Sequence, residues 1–194
     1  VTRSALAVRP REMAGGWCRG GSAARAACDR AAYARASAII LYDFCQELRV
    51  PVRVYGHTTG KDSVELYSYS ELDAIDREDK YRLVDISARG SNRDGAALRF
   101  VAERLSHRPE ELKLLILVSD GQPADTGYYG TAAEEDLRGI QQEYRRKGIL
   151  FIAAAIGDDK EDIERIYGDS FLDITDLNQL PVKLTQVVKR FLRV

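Results

Sequence analysis

Two short, unbroken apolar runs constrain this chain more than any other feature. Lys113-Leu114-Leu115-Ile116-Leu117-Val118-Ser119 and Leu150 to Ile156 are strand-sized, and neither alternates apolar with polar residues. A strand without a wet face has to be covered on both sides, as in a parallel sheet held between layers of helices. Between the two runs, Ala133, Leu137, Ile140 and Tyr144 form one helical stripe that ends at Gly148, where glycine suits the C-cap.

The same alternation extends along the chain. Asp29 is expected to cap a helix to about Leu48, with apolar residues such as Ala34, Ala38, Leu41 and Phe44 surrounding its axis. Pro51 opens a strand, Val52 to Tyr55, closed by Gly56. Val64 to Tyr69 alternates at period two and reads as an edge strand with one wet face. Residues 70–92 are polar, with Tyr81–Ile86 a short helix or strand. Leu98, Val101, Ala102 and Leu105 mark a helix, and a loop is expected from Asp120 to Gly130. A short helix around Ile163 and Ile166, a strand Phe171–Ile174 and a last helix through Leu180, Leu184, Val187, Val188 and Phe191 follow. The expected fold is α/β: a doubly wound, mostly parallel central sheet with helices on both faces and one antiparallel edge strand.

Composition narrows the class. The chain has 194 residues, with 29 basic and 30 acidic side chains and a formal charge of −1. That balance argues against a basic nucleic-acid binder. No apolar run approaches the ~18 residues of a membrane span. Cys18, Cys28 and Cys45 form no CxxC pair, which fits a reducing compartment, so a cytoplasmic location is expected. The first thirty residues hold six arginines, no lysine and two acids, a local charge of about +4. Residues 1–28 therefore read as an Arg/Gly-rich arm with one short strand at Ser4–Val8, and 29–194 as the globular domain. The arm lacks the apolar stretch of a signal peptide.

Open parallel sheets bind ligands beyond the carboxyl ends of their strands. Those ends are Gly56-His57-Thr58-Thr59, Ser119-Asp120-Gly121-Gln122-Pro123 and Ile156-Gly157-Asp158-Asp159, joined by the loop Gly90-Ser91-Asn92-Arg93-Asp94-Gly95. Asp120 with Ser91 and Asp94 would bring hydroxyl and carboxylate oxygens together, a donor set for Mg²⁺ or Mn²⁺ rather than zinc. Taken alone, Asp120 reads equally well as the turn residue of an Asp-Gly pair.

The run Leu114 to Pro123, preceded by Ser91-Asn92-Arg93-Asp94-Gly95-Ala96-Ala97-Leu98, resembles a von Willebrand factor A domain. The likeness is to the bacterial branch containing the cobalt chelatase subunit and the nitric oxide reductase activation protein, and it covers about residues 30–194. The resemblance implies a metal-ion-dependent adhesion site with Asp120 as the strand-end aspartate, Ser91 as the loop hydroxyl and Asp94 nearby. It also implies a non-enzymatic protein–protein interaction module working with a ring-forming AAA+ ATPase in metalloenzyme activation or metal insertion. One part of the pattern is missing. The family's first strand ends in Asp-x-Ser-x-Ser, whereas this chain reads Val8-Arg9-Pro10-Arg11-Glu12-Met13-Ala14-Gly15-Gly16. Cations facing a metal position oppose it, so either the site is degenerate or these residues do not occupy the expected place; an Arg9 or Arg11 that reaches the rim would pair with Asp120 in place of a metal.

Other motifs are weaker. Gly15 to Ser22 has P-loop glycine spacing but Gly21 where lysine is required. Gly56-His57-Thr58-Thr59-Gly60 mimics a nucleophile elbow, yet a strand follows it instead of a helix. His107 reads as a helix-end residue, and His57 as a packed residue at the rim. Tyr128 and Tyr129 either present a partner contact or fold back over the sheet edge. Glu134-Glu135-Asp136 with Arg138, Arg145 and Arg146 reads as a solvated helix face. The competing class is a small metal-dependent hydrolase or phosphotransferase using Asp120. For that role the rim supplies only Ser91, Thr58 and His57 as nucleophile or base.

Overall fold

The structure is a computed structural model that describes residues 3–8, 22–47, 49–70, 78–87, 91–119, 121, 123–156 and 160–192. Its elements in chain order are β1 (Arg3–Val8), α1 (Ser22–Glu47), β2 (Val52–Thr59), β3 (Val64–Ser70), α2 (Asp79–Arg82), α3 (Asp94–Ser106) and β4 (Lys113–Ser119). A small pair, β5 (Ala124–Asp125) and β6 (Tyr128–Tyr129), precedes α4 (Gly130–Arg146), β7 (Ile149–Ala155), α5 (Lys160–Tyr167), β8 (Phe171–Asp173) and α6 (Leu180–Leu192).

Six strands form the central sheet in the order β3-β2-β1-β4-β7-β8. All neighbours are parallel except β3, which pairs antiparallel with β2 at one edge, as its alternation predicts. The two apolar runs lie side by side as β4 and β7, in register from Lys113↔Ile149 to Ser119↔Ala155. Their side chains divide by parity. Leu114, Ile116, Val118, Leu150, Ile152 and Ala154 pack on the face covered by α1 and α6, with Ala38, Leu41, Leu184 and Val187. Leu115, Leu117, Phe151 and Ala153 pack on the opposite face, against Leu98 of α3, Leu137 of α4 and Ile163 of α5. Full burial of each such Leu, Ile or Phe stabilises by about 1.5–3 kcal/mol, and from Leu114 to Val118 and from Ile149 to Ala155 no polar residue interrupts either strand.

Two details differ from expectation. The helix expected to start at Asp29 begins at Ser22, so Asp29 lies within α1 and does not cap it. Ala23, Ala24, Arg25, Ala26 and Ala27 are among the strongest helix formers and extend the helix back into the arm. The short strand expected at Ser4–Val8 is present as Arg3–Val8, and it pairs on both sides, Leu6 opposite Val54 and Ile116. The sheet thus draws an interior strand from the segment that composition sets apart. Residues 81–85 lie on helical turns and not on a strand, and Ile86 ends them. Gly148 ends α4 at φ 79°, a conformation that disfavours any residue with a Cβ.

Candidate functional site

The chain crosses from one half of the sheet to the other between β1 and β4, and such a switch point is where an open α/β sheet leaves room for a ligand. The residues that follow those strands, 9–21 and Asp120, lie outside the described residues, as do 157–159 after β7. Arg9, Arg11 and the glycine motif from Gly15 to Gly21 are among them, and the motif's last residue, Ser22, opens α1. The rest of the rim is described, and it is built around the loop Ser91–Asp94.

That loop continues the edge of β2. The Ser91 carbonyl accepts the Thr59 amide at 2.8 Å and the Thr58 hydroxyl at 3.4 Å. Asn92 is 3% exposed and binds Ala124 twice: its amide donates to the Ala124 carbonyl at 3.3 Å, and its side-chain oxygen accepts the Ala124 amide at 3.1 Å. Asp94 opens α3 with a buried carboxylate at the positive end of the helix dipole. Its Oδ1 accepts from His57 Nε2 at 2.8 Å and from Asn92 Nδ2 at 3.3 Å. A carboxylate only accepts, so His57 carries its proton on Nε2, and among the described residues its buried Nδ1 has no hydrogen-bond partner. His57 therefore orients Asp94, and the elbow-like Gly56–Thr59 segment is ordinary extended β2.

A second set of contacts fixes the hairpin β5–β6. Arg93 Nε donates to Asp125 Oδ2 at 2.5 Å, and its Nη2 to the Thr126 carbonyl at 2.7 Å. The Tyr128 hydroxyl donates to Asp136 Oδ2 at 2.8 Å, and Arg99 Nη2 holds Asp136 Oδ1 at 2.8 Å. Burial, reinforced by the Asp136 charge, pushes the Tyr128 hydroxyl far above the usual phenol range. The approach is so close that a Cβ on Gly95 would overlap both the Tyr128 hydroxyl and Asp136 Oδ2. The two tyrosines differ: Tyr128 folds back onto α3 and α4 and not over the sheet edge, and Tyr129 stands 69% exposed.

Other expectations resolve simply. His107 is exposed and its Nδ1 donates to the Glu103 carbonyl at 2.8 Å, closing the end of α3. The acidic face of α4 is less solvated than its sequence implies, because Glu134 is buried and held by both Arg138 and Arg165. Asn92 was not singled out in the sequence; an Asx residue two before a helix-opening Asp was the available signal. The Ser119 hydroxyl, at the end of β4, donates to the Gly121 carbonyl at 3.0 Å.

The donor chemistry at the rim is oxygen-rich and hard, as Mg²⁺ or Mn²⁺ would require. Yet Asp94 commits Oδ1 to two hydrogen-bond donors. Among the described residues no three of His, Cys, Asp and Glu gather in a way that could hold a metal ion. The described residues do not by themselves make a cation cage; Asp120 lies outside them.

Comparison with known proteins agrees with this architecture. The vWF domain of the type V pili tip protein Mfa5 from Porphyromonas gingivalis superposes with a TM-score of 0.64 at 9% identity, covering 100% of this chain and 96% of that one. Proximal thread matrix protein 1 from the mussel byssus, with a zinc-occupied MIDAS motif, superposes at 0.59 with 16% identity, covering 96% and 47%. At these identities the likeness establishes the fold alone. In sequence, the uncharacterized protein PA0525 of Pseudomonas aeruginosa is 28% identical over 162 residues, 81% of this chain and 26% of its own length. Protein NorD of Brucella suis is 30% identical over 115 residues, 57% of this chain and 18% of its own. The chain thus spans about a fifth to a quarter of the length of these curated relatives. The family described as the cobalamin biosynthesis protein CobT VWA domain matches residues 76–193, more than half of the chain. A doubly wound sheet, a rim loop running into α3 and this match together make the chain a member of the CobT VWA-domain family.

Proposed function

We propose that this domain is a non-catalytic protein-interaction module whose recognition surface is the rim formed by Ser91–Asp94 and the β5–β6 hairpin. The observation that carries this reading is the double clamp of Asn92 and Arg93 on that hairpin, which holds a set of loops rigidly beside the exposed Tyr129. A rigid surface with an exposed aromatic loses little conformational entropy on binding. Its kinship with CobT and NorD favours a role in metal insertion or metalloenzyme activation, with an AAA+ ATPase as partner.

A divalent cation, Mg²⁺ or Mn²⁺, is the finer part of the proposal. Ser91 and Asp120 would hold it, with Asp94 lending charge and not the oxygen already bonded to His57. A bound cation supplies an electropositive point that a partner carboxylate completes. The hydrolase reading is less well supported: His57 spends Nε2 on Asp94 and buries Nδ1, and the Thr58 hydroxyl donates to the Ser91 carbonyl. Neither is poised as a base or a nucleophile.

Calorimetric titration of chelator-treated protein with Mg²⁺ and Mn²⁺, beside Asp120→Ala, tests the cation. Saturable binding lost in the variant is expected, and binding retained in it removes Asp120 from the proposal. Tagged protein and an Arg93→Glu, Tyr129→Ala variant are then compared for retention of an AAA+ ATPase. Equal retention by the two would refute the rim as the recognition surface.

A further inference from the structure

The sheet ends at β8, and the backbone along its outer side has a pattern the rim reading does not use. Among the described residues β8 pairs only with β7. The register Ala155↔Asp173, with the Ile174 amide donating to the Ala155 carbonyl, turns the amide and carbonyl of Leu172 toward β7. The backbone groups of Phe171 and Asp173 therefore point outward. Two of these four groups are already engaged: the Phe171 amide donates to the Gly168 carbonyl, and the Asp173 carbonyl accepts Lys183 Nζ at 2.8 Å. Among the described residues the Phe171 carbonyl and the Asp173 amide are left without a partner.

This remainder is selective. An antiparallel strand needs the amide and carbonyl of one residue, and both Phe171 and Asp173 have lost one of theirs. A parallel strand needs the carbonyl of one residue and the amide two positions on, which is the pair flanking Leu172. A groove of about 590 Å³ runs beside this edge, walled by Leu172 and by Val187, Lys183, Gln186 and Lys189 of α6. Its floor is apolar at Leu172 and Val187, both buried, and its rim carries the two lysines. Asp173 does not cancel that charge locally, because its carboxylate is held by Thr175 and lies 3.5 Å from Lys160.

Short edges guarded by lysine are a common defence against unwanted pairing. A complete guard would also cover the remaining two groups, whereas here they open onto a groove with an apolar floor. We propose that β8 accepts an extended segment of a partner protein, added as a parallel strand, with an apolar side chain over Leu172 and Val187 and acidic side chains two residues to either side facing Lys183 and Lys189. The partner residue opposite Leu172 donates its amide to the Phe171 carbonyl and accepts the Asp173 amide.

The probe is a blocked Glu-Thr-Val-Thr-Glu peptide, titrated into isotope-labelled protein and followed by amide resonances and hydrogen exchange. The Asp173 amide is expected to shift saturably and to exchange more slowly. N-methylation of the valine should weaken binding roughly three- to tenfold, the loss of one hydrogen bond. The Lys-Thr-Val-Thr-Lys copy should not bind. Lys189→Glu should weaken the acidic peptide several-fold, with Gln186→Glu as a second variant should the first fail to fold. Insensitivity to N-methylation, equal binding of the lysine peptide or an unshifted Asp173 amide overturns the proposal. So does concentration-dependent protection of Asp173 without peptide, which would make a second copy of this chain the occupant.

Discussion

Gly95→Ala is the sharpest test of how the rim is held together. Gly95 lies in the first turn of α3, where alanine is the better helix former by about 0.8–1 kcal/mol. Exposed helices would gain from the change. Here the new Cβ would overlap the Tyr128 hydroxyl and Asp136 Oδ2 and lie 3.2 Å from Tyr128 Cζ. The ring end and the carboxylate must separate, and the hydrogen bond between them is lost. Bonds to a charged group contribute about 1.5–3 kcal/mol, and Asp136, one-third exposed, places this one toward the low end. Subtracting the propensity gain leaves a net loss of about 1 kcal/mol, or about 2–4 °C in Tm for a chain of this size. In a Tyr128→Phe background there is no hydroxyl and no hydrogen bond to lose, and only the Asp136 carboxylate has to move, so the same substitution should cost clearly less. Urea unfolding of the four proteins in a double-mutant cycle measures the difference. Equal costs in both backgrounds would refute the close-packing argument, and so would a stabilised Gly95→Ala single variant.

Three further outcomes are expected. Asp94→Ala leaves the His57 Nε2 proton and the Asn92 side-chain amide buried without their acceptor, so it should cost about 2–4 kcal/mol by chemical denaturation, and Asp94→Asn clearly less. The Tyr128 hydroxyl is raised by burial and then by Asp136, so it should stay protonated where unfolded tyrosines ionise. Stability should accordingly decline as pH rises past about 10, and less so in Tyr128→Phe, as followed by ultraviolet titration alongside unfolding. Asp173 is held below its usual range by the Thr175 hydroxyl and amide, with Lys160 adding to the effect. Its contribution is present above about pH 3.9 and disappears as pH falls through the lower folded value; Thr175→Val should move the carboxyl resonance midpoint upward.

The fold was legible because its strongest signals are physical ones. β4 and β7 are apolar on both faces and can only be interior strands, and β3 alternates because one of its faces is wet. The start of α1 was misjudged because arginine and glycine suggested an arm, although the Ala-rich stretch after Ser22 is strongly helical. The rim was legible only in part. Asp94 stands out as a helix-opening acid, but nothing in its local sequence announces His57, 37 positions away, as its partner. Likewise the loop after Asp120 read as irregular, since a pair of two-residue strands leaves no periodicity to detect. Its own pairing spans only two residues on each strand, and Asn92 and Arg93 hold it from across the rim.

The central position of β1 has a consequence for the order of events during synthesis. This strand is made before the other described strands of the sheet, but its two neighbours arrive late: Leu6 waits for Val54 on one side and for Ile116, about 110 residues later, on the other. The sheet cannot close over its middle until the chain through β4 has emerged. Long-range parallel pairing of this kind is slow and leaves edges exposed meanwhile. The domain should therefore depend on chaperones more than its size implies, and weakening β1 should reduce the yield of folded protein before it measurably lowers the stability of what has folded.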